Sequence, residues 1–346
     1  MPRHFTERLG RAGISLMLVG VLAGCSDEMM GPDATDGDDG SEPTAPASAF
    51  ANPLSGLALF VDPSSPARQT AAEWRSTRPS DAALMDRLAA TPQAIWFTGW
   101  RADPAAGVRE VTSAAAAAGT TPVLVLYNIP QRDCGAYSAG GSGSGEAYLG
   151  WVETIARALG RARAAVIVEP DALAGMDCLD AADRDRRVRL IAGAVDLLKT
   201  HTHAAVYVDG GHPRWHGSTE MAARLDRAGI ERADGFALNV SNFVPTDLNV
   251  RYGDEISRLL GGKHFVIDTS RNGVPTNDSE WCNPSGRGVG IAPTTNSGHR
   301  LIDALLWVKR PGESDGACNG GPAAGVWWPE YALGLMERAT TQLALR

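Results

Sequence analysis

The chain has 346 residues, 44% hydrophobic and 21% charged, the composition of a globular protein rather than a disordered or multi-spanning one. A formal net charge of −8 excludes a nucleic-acid binder that works by neutralising phosphates. With 39 Gly and 21 Pro the chain is rich in loops, the material of which a built-up active site is made.

Residues 1–24 carry Arg3, Arg8 and Arg11, then an apolar run from Ile14 to Ala23. That run is too short to span a bilayer and suits the core of a signal peptide. It ends Leu22-Ala23-Gly24-Cys25, a lipobox in which Cys25 is expected to be lipidated and to become the mature N-terminus. An ordinary signal peptide cut near Ala23 is the alternative, and both predict export. Residues 25–50 read as a tether: 26–50 hold seven acidic residues and no Lys or Arg, with too little apolar surface to order themselves. Three Arg and one Glu fall in 1–24, so −3 is left for 51–346. The acidity belongs to the tail and says little about a substrate.

From Leu54 onward short β-rich runs alternate with helical patterns. The predicted strands are Gly56–Val61, Ala94–Thr98, Pro122–Tyr127, Ala164–Glu169, Ala204–Asp209, Gly235–Val240, His264–Asp268 and Leu305–Lys309. Helices are predicted near 81–90, 105–118, 146–160, 180–200, 217–228 and 251–260, with a last one from Pro329 to Leu343. Continuous apolar strands separated by helices predict a parallel sheet buried on both faces. Seven or eight such units in one domain, 51–346, point to an α/β barrel closed on itself, with a doubly wound open sheet as the alternative.

In either architecture the chemistry belongs at the carboxyl ends of the strands. Several predicted strands end in polar clusters: Arg132-Asp133 beyond Tyr127, Glu169-Pro170-Asp171, Asp209-Gly-Gly-His212, Asn239, and Asp268-Thr-Ser-Arg271. Pro170 has no N–H to donate, so it should stop its strand and leave Asp171 at the rim. A single Asp there is ordinarily a helix cap or turn residue; five such clusters together suggest a site. Besides Cys25 there are Cys134, Cys178, Cys282 and Cys318, an even number that suggests two disulfides in an exported chain. Three pairings can be drawn, and the simplest joins 134 to 178 and 282 to 318. No Cys-x-x-Cys occurs, which argues against zinc. His201-Thr-His203 falls at a helix end and reads as surface. Gly-x-Ser-x-Gly, Gly-x-Gly-x-x-Gly and a Walker loop are absent from the sequence.

The motifs Tyr127-Asn-Ile-Pro-Gln-Arg-Asp133-Cys134, Val166-Ile-Val-Glu-Pro-Asp171, Val208-Asp-Gly-Gly-His212, Asp268-Thr-Ser-Arg-Asn-Gly273, Trp281-Cys282 and Trp307-Val-Lys-Arg-Pro-Gly-Glu313-Ser-Asp315-Gly316 follow in that order. Together they resemble family 6 of the glycoside hydrolases, the cellulases that include endoglucanases and cellobiohydrolases. The resemblance runs from about Asn52 to Arg338. It implies a distorted barrel of parallel strands and hydrolysis of β-1,4-glucosidic bonds with inversion, without metal or cofactor. By resemblance Asp171 matches the general acid, Asp133 the carboxylate that keeps it protonated, and Asp315 the base. Tyr127 matches a tyrosine that crowds the sugar at the cleaved bond. Trp96, Trp215 and Trp281 match aromatic platforms for glucose rings. His212, Asn239, Lys309 and Glu313 match polar residues that hold hydroxyls, and Asp209 a further buried carboxylate.

The physical logic agrees. An isolated Asp, with a pKa near 3.9, is ionised at neutral pH and cannot donate a proton. A second carboxylate beside it raises that value, because both resist being charged together. Inversion places water on the opposite ring face, so acid and base must stand far enough apart to admit it. Ala139 stands where the family commonly has a water-holding Ser, with Ser138 adjacent. Asp315 is one residue farther from Cys318 than in some members. The short loop between Cys282 and Cys318 implies an open cleft and internal cleavage, and no carbohydrate-binding module is expected. The expected partners are a β-1,4-glucan and, through Cys25, a membrane; the protein is expected to be a monomer.

Overall fold

Seven strands run parallel in a computed structural model that describes residues 51–339: β1 Ile95–Thr98, β2 Val123–Tyr127, β3 Ala165–Val168, β4 Ala205–Asp209, β5 Gly235–Leu238, β6 His264–Asp268 and β7 Ile302–Leu306. They pair strictly in sequence order. In-register partners such as Thr98 with Tyr127, Val168 with Val208 and Ile267 with Leu305 bring the carboxyl ends to one edge. The expected signal segment 1–24, lipidation at Cys25 and tether 25–50 lie outside the described residues, as does the expected end of the last helix at Leu343.

Alternation along the strands builds two cores. Val125, Ile167, Tyr207, Ala237, Val266 and Ala304 point into the curl of the sheet, where Leu54 joins them. Their neighbours Leu126, Val168, Val208, Phe236 and Ile267 face the helices. Those helices are α1 Pro66–Trp74, α2 Pro79–Ala89, α3 Pro104–Ala117, α4 Gly145–Leu159, α5 Ala181–His201, α6 Ser218–Arg227, α7 Thr246–Leu259 and α8 Pro329–Glu337. Their starts carry their own signals: Asp103, Ser144 and Asp180 each accept a backbone N–H three residues on, and Pro104 opens α3.

The sheet is a curled half-barrel of seven strands. Among the described residues no ladder joins β1 to β7. The seam is held by Ala94 N–H to Trp307 O and Trp96 Nε1–H to Val308 O, both 2.9 Å. Two expected strands change. Gly56–Val61 forms only an isolated bridge, Leu59 with Thr121. Its strand-like pattern comes from Leu57 and Leu59 packing on the inner core without a partner strand. The last strand lies at Ile302–Leu306, not Leu305–Lys309. Val308 and Lys309 leave the ladder because their N–H groups go to the Asp268 carboxylate, at 3.2 and 2.9 Å. Helix α1, unpredicted, packs with α2 and α8 around the buried Trp307; Ala67, Thr70 and Ala71, its buried residues, are too small to show a hydrophobic stripe.

Candidate active site

Backbone in the left-handed region gathers where the strands end. Gln131, Asp133, Cys134, Glu169, Asp171, Asn239 and Ser241 all have φ between 49° and 66°. Side-chained residues adopt this conformation at a cost, and persist there only where the surroundings hold them. At Asp171 and Ser241, and beside several of the others, the holders are buried carboxylates. Glu169 accepts the N–H of Asn128 and Ile129. Asp209 accepts the N–H of Asp171 and Gly211, at 3.0 and 3.1 Å. Asp268 accepts the N–H of Ser241, Ser270, Val308 and Lys309.

These turns surround a cavity of about 420 Å3. Trp96, Tyr127, Asp133, Asp171, His212, Trp215, Trp281, Lys309 and Asp315, all singled out in the sequence, line it. Three singled-out residues do not. Asn239 is fully buried, with Nδ2 donating to Asp268 O (2.8 Å) and Oδ1 accepting from Val244 N–H (3.1 Å). Its amide is consumed within the fold, and Ser241 and Asn242 take its place on the wall. Glu313 lies off the cavity, 3.7 Å from Arg310. Asp209 sits beneath Asp171, as its buried support. Arg214 and Ser279, to which no sequence motif points, line the same cavity. Arg214, two residues beyond His212, is fixed by donating to the carbonyls of Thr276 and Asp278.

Three carboxylates dominate the floor, and the surroundings of two of them, Asp171 and Asp315, drive these apart. Burial, then the charges of Asp133 and Asp315, push Asp171 up to about 7, against an opposing Lys309. Asp133 lies in the loop after β2, where its Oδ2 accepts the N–H of Ser138 at 2.6 Å. Asp315 goes the other way. Burial would raise it, but Arg271 and Lys309 outweigh burial and hold it below the usual carboxylate value. Arg271 Nη1 stands 3.0 and 2.8 Å from its two oxygens, Lys309 Nζ 3.4 Å from Oδ1, and Asn283 N–H donates to Oδ2 at 3.0 Å. One wall therefore holds a carboxyl that keeps its proton near neutrality, and another a carboxylate that does not.

The remaining walls suit a flat polar ligand. Burial, then the charges of Asp171 and Asp133, raise the Tyr127 phenol, so it stays neutral. Trp96 meets the Tyr127 ring edge-on, with centroids 5.3 Å apart. Burial, then Arg214 and His216, bring His212 down to about 4, and its Nδ1 accepts from Arg214 N–H, which puts the proton of the neutral ring on Nε2. Trp215 and Trp281 are 40% and 46% exposed, each offering ring surface to solvent. Tyr137, unnoticed in the sequence, lies 6.1 Å from the Trp281 ring. Disulfides Cys134–Cys178 and Cys282–Cys318, the simplest pairing, tie the loops that carry these groups. Among the described residues no cluster of three or more His, Cys, Asp or Glu is placed to hold a metal ion.

Comparison with known proteins places this geometry. The chain is 47% identical over 291 residues to Endoglucanase A of Cellulomonas fimi, covering 83% of this chain and 62% of that protein. It is 40% identical to Endoglucanase 1 of Streptomyces halstedii, covering 79% of this chain and 87% of that one. The endoglucanase Cel6 of Mycobacterium tuberculosis, solved with a methyl-cellobiosyl-4-deoxy-4-thio-β-D-cellobioside, superimposes with a TM-score of 0.79 at 48% identity, over 83% of this chain and 99% of that one. The sequence profile of glycosyl hydrolases family 6 matches residues 54–339, which include all seven strands of the half-barrel and its rim, and the chain belongs to that family.

Proposed function

We propose that the protein is an inverting endo-β-1,4-glucanase acting on cellulose or related β-glucans. The observation that carries this reading is the opposed pair in one cavity: Asp171 pushed up to about 7 and Asp315 held down by Arg271 and Lys309. Glucose rings lie on Trp96, Trp215 and Trp281, whose faces suit the C–H surfaces of a sugar. Asp171 gives its proton to the departing glycosidic oxygen as the C–O bond breaks. Positive charge builds at the anomeric carbon, and water enters from the opposite ring face. Asp315 draws off the water's proton, while Asp133 keeps Asp171 protonated between turnovers. Tyr127 crowds the ring at the cleaved bond; His212 and Lys309 hold hydroxyls.

Internal cleavage is supported by the exposed faces of Trp215 and Trp281 and by the names of the 47% and 40% identical relatives. Relatives named cellobiohydrolases stand at 28–30% identity. We infer further, from the sequence of 1–50, that the catalytic domain, 51–346, works as an exported monomer held to a membrane by a lipid on Cys25 and spaced from it by the acidic tether.

Proton NMR of the first sugar released from a soluble cello-oligosaccharide tests the mechanism. The α-anomer is expected; the β-anomer would refute inversion. On carboxymethylcellulose, viscosity is expected to fall well ahead of reducing-end release. No hydrolysis at all would favour a carbohydrate-binding protein without turnover. Asp133→Asn isolates the coupled pair. Removing that charge lowers the proton affinity of Asp171, and a general acid works only while protonated. The alkaline fall of kcat should therefore move to lower pH, by about a unit; a profile that keeps its alkaline limb rules out the coupling.

A further inference from the structure

The approach to Asp133 is gripped from behind the cleft. After Tyr127 the chain takes five residues to reach Asp133, and two buried side chains of opposite charge hold its backbone. Glu169, at the end of β3 and 1% exposed, accepts Asn128 N–H at 2.9 and 3.0 Å and Ile129 N–H at 3.0 Å. Arg187, on α5 and 3% exposed, donates Nη2 to the carbonyls of Pro130 and Gln131, both 2.8 Å. Its Nη1 donates to Ala172 O at 3.4 Å, the residue that follows Asp171. One guanidinium on an outer helix thus touches the backbone two residues before Asp133 and one residue after Asp171. Burial lowers the pKa of Arg187 against the opposing charges of Glu169 and Asp183, and burial raises Glu169 itself to about 7.

We propose that Arg187 is a positioning residue that fixes the separation of Asp133 from Asp171. The proposal rests on the reading of those two as the acid and its partner. Neither Arg187 nor Glu169 lines the main cavity, so they act through the backbone and touch no substrate. The Cys134–Cys178 bridge joins the same two loops farther along. Loss of Arg187 therefore loosens the pair and does not release it. The surrounding charges make the effect readable. Asp133, Asp315 and Lys309 act on Asp171, with Asp209 and Tyr127 close by. Arg187 faces Glu169, Asp183, Tyr127 and Tyr148.

The test uses the full chain with Arg187→Met, cellotetraose as substrate, and pH profiles of kcat and KM. Wider separation weakens the push of Asp133 on Asp171, so the alkaline limb should fall to lower pH by about a unit. Misplacement of the acid should cost about 10- to 100-fold in kcat, with KM within about twofold. Arg187→Lys, which keeps the charge and can reach one carbonyl, should recover part of both. Loss of a nearby cation with no movement would do the opposite and raise the limb; a raised or unmoved limb overturns the proposal. Should Arg187→Met fail to fold, Arg187→Gln is read in the same way, because it removes the same cation and leaves an amide that can reach at most one carbonyl. The Asp171 carboxyl can also be titrated directly by 13C NMR, assigned by its loss in Asp171→Asn. That titration should fall in Arg187→Met even if the wild type proves unable to hydrolyse a glucan, which separates failure of this proposal from failure of the catalytic one.

Discussion

Asp171→Asn is expected to lower kcat on a β-1,4-glucan by about 10³- to 10⁴-fold, the upper part of the range that a positioned acid supplies. The amide keeps the shape of the site and cannot give a proton. Substrate binding, which rests on the tryptophan faces, should change little. The discriminating measurement is a cellobioside whose aglycone is a good leaving group, such as dinitrophenol. That oxygen departs without protonation, so the same variant should lose far less on it. Equal losses on both substrates would remove Asp171 from the acid role. Stability should move in the opposite direction. Raised to about 7 in the fold, Asp171 keeps a proton that the unfolded chain releases near pH 4. Its contribution therefore falls as pH rises across that window. Asparagine has no such loss, and its variant should melt higher than wild type at pH 8.

Arg271→Met should have the largest effect on folding, a loss of about 3–5 kcal/mol in denaturant titrations, as for other buried pairs stripped of one partner. Arg271 is 0% exposed and donates both to Asp315 and to the carbonyl of Ser241. Without it, Asp315 keeps only Lys309 as a counter-charge. In the wild type the depressed pKa of Asp315 contributes stability above the unfolded value near 4, and that contribution is lost as pH falls through the folded value. In the variant Asp315 becomes easier to protonate. A base works only while ionised, so the acid limb of kcat should move to higher pH. A destabilisation under about 1 kcal/mol, with an unmoved acid limb, would show that Arg271 does not govern Asp315.

Much of this arrangement was legible beforehand. β1 to β6 fall within their expected runs because each is a largely apolar segment closed by a polar residue. Asp133, Asp171 and Asp315 were reached through motifs that lie far apart in the chain and meet in one cavity. Two of the misreadings share a cause: side-chain hydrogen bonding that the sequence pattern does not show. Lys309 leaves β7 because Asp268 captures its N–H. Asn239 left the wall because a left-handed turn, φ 63°, sends its amide inward to Asp268 O and Val244 N–H. Arg187 carried no signal at all. On a predicted helix full of charges it looks like any solvated arginine, and only the folded chain brings its guanidinium to three loop carbonyls. Tyr137 was likewise one aromatic in a loop until the fold set it beside Trp281.

The left-handed residues at the strand ends set a limit on improving this protein. Random substitution for heat tolerance selects sequences that relax awkward backbone, and at Gln131, Asp133, Glu169, Asp171 and Ser241 the awkward backbone is what aims the carboxylates. Gains should accumulate instead on the opposite face, around the loops that lead into the strands, where the left-handed positions are glycines such as Gly119, Gly160 and Gly229 and nothing is being aimed. An engineer who splits the molecule along that line can harden one half without blunting the other.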